Sequence, residues 1–339
     1  MHMNKVSLAY PLIIGGFFLL LSGCTKSTTS TSTYLGNWVT SSDFDGNARS
    51  EAVIFTINDQ AYLTTGVNDK TRYSDLWQYD ADRKYWVQKA DFPSTARSSA
   101  VAFSAAGKGY VGTGYDGVNM LKDFYSYDPS VNTWTKIADF AGTARYDAVA
   151  FTLGDKGYLC TGYDGNYKND VWVYDPSTNG WTQKASLGGT KRSAAQSFVL
   201  NGKAYICSGD NNGTALQDLW MYNQDSDSWT QKRKIYNYTD SSFDDNYTNI
   251  SRYNGVSFIM NNRAYLTTGE NGSILSSTWE YDDTQDTWTQ KTAFEGSART
   301  GDAAFSIKSR GFVLTGRSGS LPYDNMMEFH PNEEQKNGD

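Results

Sequence analysis

Apolar and polar residues alternate in short runs along most of this chain, and the runs recur. Asp170–Trp181 reads DVWVYDPSTNGW. Close copies are DLWQYDADRKYW at Asp75–Trp86, DFYSYDPSVNTW at Asp123–Trp134 and DLWMYNQDSDSW at Asp218–Trp229, and a shifted copy, STWEYDDTQDTW, ends at Trp288. Alternation up to Tyr-Asp, a polar turn and then Trp predicts two strands joined by a tight turn. A fixed period is the signature of a repeat architecture.

Extending each copy upstream gives a longer unit. Arg49, Arg97, Arg145, Arg192, Arg252 and Arg299 open six copies, and Phe55, Phe103, Phe151, Phe198, Phe258 and Phe305 each follow six residues later. Small residues between them predict a strand with little space around it, here strand a. Strand b ends in Thr-Gly or Ser-Gly, as in AYLTTG ending at Gly66 and AYICSG ending at Gly209. Strands c and d follow and carry all ten Trp residues. Burying an indole removes about 150–250 Å² from water. At about 25 cal/mol per Å² this gives an upper bound near 4–6 kcal/mol each, so the Trp residues are expected in the core.

The sixth copy has no strand d of its own, while Trp38, in YLGNWVT, stands unused ahead of the first Arg. The N-terminal strand is therefore expected to complete the last unit. Six four-stranded units closed in this way leave no open edge. The fold class read from the chain is all-β, a six-bladed propeller over residues 34–331, with a polar tail at 332–339.

Composition sharpens this picture. The net charge of −7 argues against nucleic-acid binding by a basic surface. Lys5 precedes the apolar run Val6–Leu21, which ends in Leu-Ser-Gly-Cys. A short apolar run ending in small residues is a signal peptide rather than a membrane span. The ending resembles the lipobox of bacterial lipoproteins. The resemblance implies a signal over 1–23, lipidation of Cys24, membrane attachment through the N-terminus and an outer-membrane location. The Ser/Thr run at 24–33 reads as a tether. Cys160 and Cys207 occupy equivalent positions in adjacent copies, too far apart for a disulfide, and are expected as buried thiols.

The repeated Arg, the small-residue strand, the Gly ending strand b, Tyr-Asp and the later Trp together resemble the kelch family over nearly the whole mature chain. One departure recurs. Where the kelch consensus has Gly-Gly, the first Gly is here Thr65, Thr113, Thr161, Ser208, Thr268 or Thr315. In kelch adaptors the residue after the Arg contributes to the channel mouth. The resemblance thus implies a binding ring of Ser50, Ser98, Tyr146, Ser193, Tyr253 and Thr300 beside the six Arg residues. Those guanidiniums are expected either in hydrogen bonds between blades or as bidentate binders of a carboxylate or sulfate. The b–c loops would add Tyr115, Asp116, Tyr163, Asp164, Asp210, Asn211 and Glu270, as turn-formers or as a surface for sugar hydroxyls.

The Trp spacing is 47 or 48 residues up to Trp229 and then 59 to Trp288. The surplus lies in Lys234–Ile250, a d–a loop with Tyr236, Tyr238, Phe243 and Asp244. Long loops in compact folds tend to be functional or disordered, and this one is expected on the binding face.

Catalytic signatures are sparse. With two His residues, His2 in the signal and His330 near the end, a His-dependent triad lacks a base within the ring. The two-His copper site of the kelch radical oxidases cannot be assembled. The sialidase Asp-box, P-loop, dinucleotide and EF-hand patterns are missing. No cofactor and no metal are expected. Two readings remain for a monomeric propeller. One is a non-catalytic module holding a protein or glycan. The other, by analogy with bacterial kelch epimerases, is an enzyme acting on sugar acids with carboxylates and Arg at the mouth.

Overall fold

The computed structural model describes residues 34–336, together with Met1 and Gly338. The signal, the tether and Cys24 lie outside the described residues. Among the described residues there is no helix. Six antiparallel four-stranded blades run a-b-c-d from the centre outward. Their inner strands are Val53–Ile57, Val101–Ala105, Val149–Leu153, Gln196–Leu200, Val256–Met260 and Thr300–Ile307. Each neighbours the next around a closed circle, and the sixth returns to the first.

Closure happens as the sequence predicts. Asn37–Thr40 pairs with Met326–His330 and places Trp38 opposite Phe329. Trp38 is 1 % exposed and packs against Phe294 at 4.9 Å and Phe329 at 4.6 Å. The tail begins as part of the fold, because the Gly36 N–H donates to Glu333 and the Lys336 N–H to the Asn37 side chain.

The repeated Phe of strand a stacks on the residue facing it on strand b in every blade. Centroids are 4.8–5.4 Å apart, as in Phe151–Tyr158 at 5.1 Å. Such offset pairs add about 0.5–1.5 kcal/mol beyond area burial. The ring also reaches the next blade: a Cβ on Gly157 would collide with Phe103 of the preceding blade. That contact explains the Gly at the second position of strand b in three blades, Gly109, Gly157 and Gly311.

The Trp expectation narrows. Trp38, Trp86, Trp279 and Trp288 are buried, and the other six are half-buried. Three of those on strand d act as staples. The indole N–H groups of Trp134, Trp181 and Trp229 donate to Ala90, Ala138 and Ala185 of the preceding blade at 2.8, 3.3 and 2.9 Å. The residue two before each Trp supports the same join. Asn132, Asn179 and Asp227 sit at φ 51°, 49° and 44° and accept the backbone N–H of those same alanines. Asn and Asp tolerate this left-handed conformation best among residues with a Cβ. Cys160 and Cys207 are free, buried thiols. Burial pushes the Cys207 thiol up to about 12, which leaves it unreactive as a nucleophile at neutral pH.

Candidate functional site

The six arginines are interior residues, none more than 1 % exposed. Each donates one Nη1 bond to the carbonyl sixteen residues later, on Thr65, Thr113, Thr161, Ser208, Thr268 or Thr315, at 2.7–3.0 Å. Four grip the Asp that precedes strand c bidentately: Arg49–Asp75, Arg97–Asp123, Arg145–Asp170 and Arg192–Asp218. Arg252 uses Ser277 instead, and Arg299 uses Asn325. Burial without a carboxylate lowers Arg252 to about 10. The expected bond between blades comes from the main chain: the Gly162 N–H donates to Arg192 of the next blade at 2.9 Å, and each blade repeats this. The guanidiniums are committed inside their own blades and are not offered to an anion.

The carbonyls they hold explain the departure from Gly-Gly. Thr65, Thr113, Thr161, Ser208, Thr268 and Thr315 all have φ between 53° and 64°. Glycine takes this conformation without strain, whereas a residue with a Cβ there costs on the order of 1–3 kcal/mol. The charged hydrogen bond from each Arg offsets part of that strain.

The ring after the Arg is also not the channel lining. Ser50, Ser98, Ser193 and Thr300 are buried, and Tyr146 and Tyr253 are half-buried. Ser50, Ser98, Tyr146, Ser193 and Tyr253 bridge to the b–c loops at Val67, Tyr115, Tyr163, Asp210 and Glu270. This confirms that the d–a and b–c loops share a face.

The residue one further on faces the opening. Glu51, Ser99, Asp147, Ala194, Asn254 and Gly301 have φ of 56°, 52°, 51°, 51°, 51° and 65°. Their main chains form a circle of hydrogen bonds around the axis. Ser99 N donates to Glu51 O at 3.0 Å, Asp147 N to Ser99 O at 3.1 Å and Ala194 N to Asp147 O at 2.8 Å. Asn254, Gly301 and Glu51 continue it at 3.0, 2.9 and 2.6 Å. These residues line a cavity of about 150 Å³. Below it lies a second, of about 200 Å³, walled by the inner strands. The sequence held a partial signal for this ring: Asp147, Asn254 and Gly301 are of types suited to left-handed backbone, whereas Glu51, Ser99 and Ala194 are not.

At the next position, five blades have Ala or Gly and the sixth has Asp302. Asp302 is 8 % exposed and lines both cavities. Thr268 donates to its Oδ1 at 3.0 Å, and its Oδ2 has no hydrogen-bond partner. Burial pushes this carboxyl up to about 7, against the pull of Arg299 and the Thr268 hydroxyl. Burial likewise raises Asp147 to about 7, helped by the nearby Glu51 charge and opposed by Ser99.

The lip above blades 2–4 is aromatic. Tyr115, Tyr146, Tyr163 and Tyr167 follow one another at 5.6, 5.7 and 5.1 Å, and the Tyr167 hydroxyl donates to Asp210 at 2.7 Å. The Arg72 guanidinium lies over Tyr115 at 5.1 Å. Asp116 and Asp164 are turn residues. Asp116 accepts Val118 and Asn119 N–H at 2.7 and 2.6 Å, and these bonds hold its carboxyl low. Asp164 accepts Asn166, Thr143 and Lys168. Asn211 donates to Lys191, and Glu270 accepts Thr300 at 3.1 Å.

The long loop lies elsewhere. Ile235, Asp244, Tyr247 and Ile250 are buried. The Tyr247 ring meets Trp279 at 6.0 Å, and its hydroxyl accepts the Trp288 N–H at 2.5 Å. Phe243 lines a groove beside Gln285 and Thr287, with the Arg233 guanidinium over its ring at 4.2 Å. Tyr236 and Tyr238 pair at 5.7 Å on the surface. Asp244 accepts Thr239 and Tyr238 N–H and fixes the loop internally. The segment clads the outer strands of blade 5, and none of its residues lines the mouth cavities. Its packing is thus on the outer side of the blade rather than at the mouth.

A family model for the Kelch motif matches residues 144–188 and 191–234. The solved structure of YjhT is similar, with a TM-score of 0.70, 15 % identity and coverage of 84 % of this chain and 95 % of that one. At that identity the likeness shows the fold. A search of the curated proteins gave no match. The chain is a six-bladed propeller that carries the Kelch motif over residues 144–188 and 191–234.

Proposed function

We propose that this propeller is a non-catalytic binding module of the bacterial cell envelope. A lipid on Cys24 carries it there, and it holds a protein or glycan partner over the channel mouth. Fold alone does not assign such a role. The observation that carries the reading is the lip: four tyrosines in successive ring contact on the face that bears the Glu51, Ser99, Asp147 and Asn254 side chains. Rigid, amphipathic tyrosines supply contact area at low entropy cost. The cavity beneath, at about 150 Å³, and the one below it, at about 200 Å³, each fall short of the roughly 300–1,000 Å³ of small-molecule sites. That size favours a surface binder.

An enzyme acting on sugar acids is the second reading, and the raised Asp147 carboxyl favours it. The burial of all six repeated guanidiniums weighs against it, since the substrate carboxylate would lack those partners.

The test is a pair of arrays, glycans and envelope peptides, probed with the full chain and with Tyr163→Ala. Binding that falls about tenfold or more in the variant is expected for a hot-spot aromatic. Array signals that ignore Tyr163→Ala and Tyr146→Ala alike would overturn the mouth as the site. Cys24→Ser is expected to release the protein from membranes, and retention would remove the anchor from the account.

A further inference from the structure

The mouth has a chemistry of its own beneath the tyrosines. Glu51 and Asp147 stand on its ring, and Asp302 lies at its floor. A group of carboxylates does not define a ligand, but two further observations do. Asp302, nine-tenths buried and part of this cavity's wall, leaves Oδ2 without a hydrogen-bond partner. On the same face, Tyr115, Tyr146, Tyr163 and Tyr167 form an arc of ring contacts at 5.1–5.7 Å, and aromatic rings attract cations within about 6 Å. The charges facing Asp147 are Glu51 and Asp210, both acidic, and Tyr146 lies beside it. Arg317, half-exposed near the end of the strand Arg310–Ser318, reaches Glu51 at 3.6 Å. Arg252 and Arg299 face Asp302 from below but are spent on backbone and side-chain partners in their own blades. Among the described residues no three carboxylate, His or Cys groups converge on a metal site. The volume of about 150 Å³ admits one side-chain tip.

We propose that the mouth receives a lysine side chain of a protein partner, its ammonium between Glu51 and Asp147 and its stem against Tyr146 and Tyr163. This rests on the mouth being the binding site. An ammonium there supplies the countercharge that Asp147 lacks, Glu51 already having Arg317 beside it. Asp147 must give up its proton to take it, so binding releases a proton into solvent near neutral pH.

Calorimetry on the full chain in detergent micelles tests this with acetyl-Gly-Gly-Lys-Gly-Gly-amide and the same peptide with norleucine. The lysine peptide is expected to bind at pH 8 and about tenfold more weakly at pH 6, where roughly a tenth of Asp147 is ionised. Asp147→Asn, which suits the left-handed backbone, is expected to weaken it about tenfold at pH 8 and to flatten the pH dependence. Glu51→Gln provides an independent loss. Equal binding of the norleucine peptide, or unchanged affinity in both variants, would overturn the proposal. Binding of glucosamine in place of the peptide would overturn the choice of a protein partner. If the lysine peptide fails while Tyr163→Ala still abolishes array binding, the mouth reading stands and the amine falls.

Discussion

Asp302 replaces the small residue found at the same point of five other blades, and its carboxyl is raised to about 7, mainly by burial. The folded protein therefore keeps a proton there at pH values where the unfolded chain has lost it. Stability falls as pH rises from about 4 to about 7. Each pKa unit is worth about 1.4 kcal/mol, so the three-unit displacement bounds the effect near 4 kcal/mol. Asp302→Ala restores the pattern of the other blades and gives up the Thr268 bond, worth about 1 kcal/mol. It is expected to stabilise the protein by about 1–3 kcal/mol at pH 8, with the gain gone by pH 4. Urea denaturation at both values measures this, and a gain independent of pH would contradict it. The repeated arginines teach the same lesson at this scale. Their period was plain in the sequence, but whether six guanidiniums face a channel or their own blades depends on the carbonyl sixteen residues on and on the group ahead of strand c, an Asp in four blades, Ser277 in the fifth and Asn325 in the sixth.

The long 234–250 segment was legible as an insertion and misleading as a site. Surplus length says how much chain is added, not where it packs. A signal was present: Tyr247 stands five residues before Arg252, as Phe44, Phe92, Phe140 and Phe294 stand before their arginines. Those rings hold the outer Trp pair, as Phe44 does with Trp77 and Trp86. Tyr247 takes that place in blade 5 and adds a hydroxyl that caps Trp288 N–H. Tyr247→Ala is expected to destabilise the propeller by about 3–5 kcal/mol, as for other buried aromatics, and to leave binding at the mouth unchanged. Thermal unfolding beside the peptide titration checks both halves. A stable variant with lost binding would return the loop to the binding surface. The N-terminal strand was the easier element, because one unmatched Trp and one missing strand point to each other.

At the scale of the molecule, period and ring closure were readable because every blade repeats the same apolar pattern, and that pattern is what packing selects. The mouth was readable only to its face. The ring after the Arg and the ring that lines the channel differ by one residue, and the left-handed turn between them reverses which side chain points inward. Chemistry at the mouth is confined to a few unlike positions, Glu51, Asp147 and Asp302, which a repeat comparison treats as noise. Photo-crosslinking in the native envelope tests the central claim most directly. Benzoylphenylalanine is placed at Tyr163 on the lip and, in a second protein, at Ser177 in the c–d turn on the opposite face. A discrete adduct from the lip that Asp147→Asn diminishes, with none from the turn, is the result expected. An adduct from the turn alone, or equal adducts from both faces, would contradict it.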